Sequence, residues 1–152
     1  MFTNFEIMDE LNAKIEFHAH EVSFTLKNKR KLKSFLQYIL DQEKGKKASL
    51  SYVFCSDEYL LDINRRYLDH DYYTDIITFD LSESSNLIQG EIYISIDRVK
   101  ENARQNNISF NHELHRVIFH GALHLAGQND KTPKQSKQMR EKENYYLSRY
   151  FG

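Results

Sequence analysis

Two histidines four residues apart, His120 and His124, stand in the segment HGALHLAGQND, which ends at Asp130. Phe119, Ala122, Leu123 and Leu125 around them are apolar, so the segment reads as a largely buried helix. Residues four apart on a helix share a face, with Cβ atoms about 5–6 Å apart. Two such imidazoles can reach one ion. Tetrahedral zinc lies about 2.0–2.1 Å from each ring nitrogen and needs a third ligand from elsewhere. Gly127 offers a chain reversal, because glycine enters the left-handed region cheaply. Asp130, six residues after His124, could then complete a His₂Asp set with one position open. An open position is what separates a catalytic zinc site from a closed structural one. The other reading is a buried pair satisfied by protein partners. The spacing alone leaves both open.

The first half of the pattern is close to H-E-x-x-H, where the glutamate serves as general base. Gly121 stands in that glutamate's place, which argues against peptide hydrolysis. His112 and His115, earlier on the same helix, are expected to be exposed. His18 and His20 are one strand step apart and would share a face. Half-exposed strand residues are the preferred reading there over a second metal pair.

Several elements must position these groups. Lys14–Leu26 alternates enough for one or two strands. Lys27–Gly45 reads as a helix with Leu32, Phe35, Leu36, Ile39 and Leu40 inward and Gly45 as its stop. Its first turns carry Lys27, Lys29, Arg30, Lys31 and Lys33. Cations there oppose the helix dipole, so a phosphate-binding patch stands beside the plainer reading of a solvated face. Ser49–Ser56 is a strand. Asp57–Leu68 is a helix with Leu60, Leu61, Ile63, Asn64 and Tyr67 toward the core. Ile76–Leu81 is apolar on both faces and is expected to be an internal strand.

Ile88–Ile96 is a further strand, with Asp97 expected to cap the next helix. Ser109 or Asn111 caps a helix running to about Ala126. Thr132, Pro133 and Gln135 form a capping box for the last helix, whose inner stripe is Met139, Tyr146, Leu147 and Tyr150. Interleaved strands and helices predict an α/β (α+β) fold. It would be a single small domain with one mixed sheet of about four strands, and the metal site on the helix-turn near the C-terminus.

The chain has 152 residues, the length of one domain, with a net charge of −1. That balance argues against a strongly basic nucleic-acid wrapper and leaves room for a local basic patch. Ten tyrosines, ten phenylalanines and no tryptophan place much of the core burial on Phe and Tyr rings. The one cysteine, Cys55, excludes an internal disulfide and a cysteine-based zinc cluster. MFTNFEIMDEL carries early acids and no basic-then-apolar signal region. No apolar run approaches the ~20 residues that span a bilayer. The expectation is a cytoplasmic protein with no membrane partner.

HGALHLAG matches the H-G-x-L-H-L-x-G signature of the YbeY-type endoribonucleases, the bacterial rRNA maturation factors. INRRYLDHDYYTDIITFD (Ile63–Asp80) resembles that family's L-N-x-x-Y-R-x-x-D-x-P-T-D-V-L-S-F block, and GEIYIS (Gly90–Ser95) its G-D-I-x-I-S strand. The order and spacing of the three blocks also fit, and the resemblance covers about residues 14–149. The resemblance implies a small α/β domain with one zinc-like ion in a cleft. It implies single-strand-specific RNA cleavage in small-subunit (16S) rRNA 3′-end maturation and in ribosome quality control. The implied partners are rRNA or a ribosomal particle, single-stranded RNA and ribosome-associated proteins. The alternative is a non-catalytic ribosome assembly factor with a structural metal.

This chain departs from the family pattern at three positions. Asp130 replaces the usual third histidine, which adds negative charge and weakens the ion as a Lewis acid. Leu68 stands at an arginine position, a candidate contact for the scissile phosphate; Arg65 and Arg66 are the nearby substitutes. Tyr73 replaces the proline before Thr74-Asp75. The positive groups and rings that could meet RNA are the Lys27–Lys33 run, Arg65, Arg66, Tyr67, Tyr72 and Tyr73.

Overall fold

The computed structural model describes residues 13–152. The reading of Met1–Leu11 as free of a signal region concerns residues outside that range. The element order is β1 (Ile15–Ala19), α1 (Lys29–Lys44), β2 (Lys47–Cys55), α2 (Asp57–Leu68), β3 (Ile76–Asp80), β4 (Leu87–Ser95), α3 (Ile96–Gln105), α4 (Phe110–Leu125) and α5 (Pro133–Phe151). The four strands form one mixed sheet in the order β1-β2-β4-β3. β1, β2 and β4 run parallel, and β3 pairs antiparallel to β4. The α/β class and the single mixed sheet agree with the sequence reading.

The sheet is covered on both faces. On one, Leu50, Tyr52, Phe54, Ile92 and Ile94 pack with Leu32, Leu36 and Ile39 of α1, Val117, Ile118 and Phe119 of α4, and Tyr146 of α5. On the other, Cys55 and Ile77 pack with Leu60 and Ile63 of α2. Burying one such aliphatic side chain is worth about 1.5–3 kcal/mol, so the central helix α4 is held mainly by its apolar face. The buried Tyr52 hydroxyl donates to the Ile118 carbonyl of α4 at 2.8 Å, tying helix to sheet.

Two-sided cover corrects one expectation. β3 is an edge strand, not an internal one. It is apolar on both faces because Ile76 meets α4 and Ile77 meets α2. Burial of both faces, not sheet position, sets that pattern.

Further local expectations shift. Ser95, not Asp97, caps α3 by accepting from the Arg98 N–H. Asp97 sits in the first turn and accepts the Asp57 N–H instead. Tyr67 is 68% exposed, at the end of α2 where the chain leaves the core. The first region gives one strand, Ile15–Ala19. Ser109 caps α4, and the capping box of α5 forms as expected. Among the described residues, no helix is long and apolar enough to cross a membrane.

Candidate metal centre and active site

α4 carries His120 and His124 and ends at Leu125. Gly127, with φ of 100°, then turns the chain, and a short segment brings Asp130 back before α5 begins. His120, His124 and Asp130 line one cavity of about 300 Å³ with Thr74, Asp75, Ile76 and Thr78. A second cavity of about 190 Å³ adjoins it, sharing Asp75, His120 and Asp130 and adding Glu113, Arg116, Arg140 and Glu143. The three residues singled out by spacing thus line one cavity; of the three, His120 and Asp130 are in ion-pair contact, at 3.3 Å.

Gly121 has a packing reason. A Cβ there would lie 3.0 Å from both Ile76 Cδ1 and Ile92 Cγ2. The glycine lets α4 approach β3 and β4 closely, which sets His120 beside the β3 end of the sheet. A glutamate at that position would point into the sheet rather than into the cavity.

His120 is held at both ring nitrogens. Its Nδ1 lies 2.7 Å from Glu143 Oε2, and its Nε2 lies 3.3 Å from Asp130 Oδ2. Glu143, buried on α5, also accepts from Arg116 Nη1 at 3.0 Å. Burial opposes charge on the His120 ring. The hydrogen bond and charge of Glu143, with Asp130 and Asp75 beyond, outweigh it and raise the ring above the ordinary histidine range. Burial likewise pushes Glu143 up, but the His120 hydrogen bond and the charges of His120 and Arg140 bring it below its usual value. Burial raises the Asp75 carboxyl.

The donors suit a divalent ion. Two ligands about 2.0–2.1 Å from a tetrahedral ion stand roughly 3.3–3.4 Å apart, and His120 Nε2 and Asp130 Oδ2 are 3.3 Å apart. A carboxylate behind a ligating imidazole is the usual outer support of such sites, and Glu143 occupies that place. His124 Nδ1 is buried without a hydrogen-bond partner, so no protein acceptor claims that side of the ring. Among the described residues, no group of three or more His, Cys, Asp or Glu side chains stands close enough together to hold an ion as the structure lies. The site is a set of donors facing one cavity, not a preformed cage.

Other candidates lie elsewhere. Arg65 pairs with Asp71 and Arg66 with Asp62, and neither lines the two cavities. His18 and His20 pair separately with Glu16 and Glu21. Lys31 donates to the Tyr150 carbonyl and sits 4.3 Å above its ring centroid. His115, expected to be exposed, is only 4% exposed. Its Nδ1 lies 2.7 Å from the Asn111 carbonyl and its ring stacks on Tyr150. Leu68 is partly exposed at the end of α2.

Sequence reasoning missed Asp75, Arg116, Arg140 and Glu143. For Glu143 a signal existed. It falls on the inner stripe of α5 with Met139, Tyr146 and Tyr150, and a charge on an apolar stripe needs a buried partner.

Residues 14–151 match the family model described as Endoribonuclease YbeY. A protein of that name from Cytophaga hutchinsonii is 50% identical over 134 residues, covering 88% of this chain and 94% of the relative. One from Parabacteroides distasonis is 43% identical over 134 residues, with the same coverage of 88% and 94%. Among solved structures, the solution structure of TM1509 from Thermotoga maritima superposes with a TM-score of 0.61 at 30% identity, covering 91% of this chain and 90% of that one.

Proposed function

Because this chain belongs to the YbeY endoribonuclease family, we propose that it is a metal-dependent hydrolase that cuts single-stranded RNA within the cavity beside His120. The observation that supports this reading is the lining of one cavity by His120, His124 and Asp130, with His120 backed by buried Glu143. One divalent ion, taken to be zinc, would be held by His120, His124 and Asp130. When bound, it supplies Lewis-acid charge for a phosphoryl oxygen.

The protein groups have distinct tasks. Glu143 accepts the Nδ1 proton of His120, which fixes the tautomer and leaves Nε2 facing Asp130. Arg116, bonded to Glu143, prevents that carboxylate from swinging away. Asp75 presents a carboxyl on the cavity wall beside the reacting position. Ile76 and the closely packed Gly121 hold the β3 end rigidly against α4, which keeps the wall and His120 in fixed register.

The biological reading is processing of small-subunit rRNA at its 3′ end, and ribosome quality control, in the cytoplasm. The substrate would be rRNA or a ribosomal particle. A net charge of −1 gives little general attraction to RNA, so ribosome-associated proteins would supply much of the recruitment.

The test is cleavage of a labelled single-stranded RNA by purified protein before and after chelation, with folding followed by circular dichroism. Loss of cleavage with the fold intact, and recovery on adding zinc, supports the reading. Cleavage unaffected by chelation contradicts it. No cleavage in any state, with ribosomal particles still bound by His120→Ala, points instead to an assembly factor.

A further inference from the structure

The cavity beside His120 poses an electrostatic problem for an RNA enzyme. Asp75, Glu113, Asp130 and Glu143 line it with two permanent cations, Arg116 and Arg140, besides His120. A phosphodiester brought there meets four carboxylates, so positive charge must accompany it.

Arg116 is already committed. Its side chain is largely buried, bonded to Glu143 at 3.0 Å and 3.9 Å from Glu113. Arg140 differs. Its side chain is 62% exposed, and its one ion pair among the described residues is with Glu143, at 3.6 Å. It lines the cavity from α5, one turn past Ser136, which also lines it. Lys137 and Lys134 precede it at intervals of three residues, all three exposed. Residues three apart are neighbours on a helix surface, so the three cations form a row that ends at the cavity. Neither lysine is ion-paired among the described residues; the exposed acids nearest in sequence are Asp130, four residues before Lys134, and Glu141, four residues after Lys137.

We infer that this row on α5, Lys134–Lys137–Arg140, is the track along which the backbone of single-stranded RNA reaches the cavity, with Arg140 meeting the phosphate beside His120. The inference rests on the reading that RNA is cut in this cavity. It gives the exposed face of α5 the phosphate-contacting role that the sequence offered to Arg65, Arg66 or the Lys27–Lys33 run. Of those, Arg65, Arg66 and Lys31 have partners of their own, and none of the run reaches this cavity.

The experiment compares wild type, Arg140→Gln and the triple variant Lys134→Gln/Lys137→Gln/Arg140→Gln, with Lys100→Gln, exposed on α3, as control. Binding of a labelled single-stranded RNA of about 12 nucleotides is measured across salt concentrations, with cleavage rate, zinc content and thermal midpoint alongside. Each single-strand phosphate contact contributes about 0.7 to the slope of log affinity against log salt. The triple variant is expected to lose about 2 from that slope, and Arg140→Gln to cleave at least roughly tenfold more slowly. Zinc content and midpoint should stay at wild-type values. Unchanged affinity and slope in the triple variant overturn the inference while leaving RNA cleavage by the wild type standing. Loss of zinc or fold in Arg140→Gln also overturns it, assigning Arg140 to holding Glu143. A wild type that neither binds nor cuts RNA removes the underlying reading as well.

Discussion

The Nδ1 atom of His120 lies 2.7 Å from Oε2 of Glu143, across the interface between α4 and α5. A ring fixed in this way presents Nε2 to the cavity at no further entropic cost. The carboxylate is itself fixed by Arg116. Central helix and C-terminal helix thus meet at one imidazole.

Replacing Glu143 by Gln should weaken zinc binding by about 10–100-fold, the usual cost of losing a carboxylate behind a ligating histidine. Competition against a fluorescent chelator measures this without reference to activity. Glu143→Ala should do further harm, because buried Arg116 would keep only Glu113, at 3.9 Å, at a cost of up to about 3–5 kcal/mol. Equal zinc affinity in wild type and Glu143→Gln would deny the carboxylate its positioning role.

Gly121→Glu is expected to destabilise the protein by more than about 4 kcal/mol and to confer no peptidase activity. The new side chain would be driven against Ile76 and Ile92, where even a Cβ lies 3.0 Å from its neighbours. Urea unfolding checks this. A stable Gly121→Glu protein would show that the helix does not pack on the sheet as described.

Tyr52→Phe should cost about 1 kcal/mol, the net worth of one hydrogen bond, because the buried hydroxyl bonds the Ile118 carbonyl. A change in urea midpoint without a change in slope is the expected signature.

His115 governs part of the acid response. Burial lowers its pKa below the ordinary value, against the Asn111 carbonyl contact that raises it. The unfolded chain therefore takes up the proton first as pH falls. The contribution is fully present above the unfolded value of about 6.5 and is lost progressively as pH falls below it. Urea titrations at pH 7.5 and 5.5 should show a smaller acid loss in His115→Gln than in wild type. An imidazole resonance titrating above the unfolded value would contradict the assignment.

How much of this was legible in the sequence depends on the range of the interaction. The capping box of α5 and the span of α2 are local, and they appear where the residues place them. That His120, His124 and Asp130 line one cavity was legible because one helical turn and one glycine turn suffice to bring them there; among the described residues they do not close into a three-residue cluster. The edge position of β3 was not, since apolar residues on both faces report cover by α4 and α2 rather than neighbours within the sheet. His115 was misread because its near neighbours Glu113 and Arg116 are charged, while part of its cover comes from Tyr150 of α5, remote in sequence. Arg116 and Asp75 gain their surroundings from α5 and α4, elements remote in sequence, so no local pattern marks them.

Metal analysis of purified protein, wild type against His124→Ala, tests the central claim most directly. About one zinc ion per wild-type chain, absent from a folded His124→Ala protein, is the predicted result. A wild type that takes up no ion when zinc is supplied, or a His124→Ala protein that binds zinc as tightly as wild type, would contradict it.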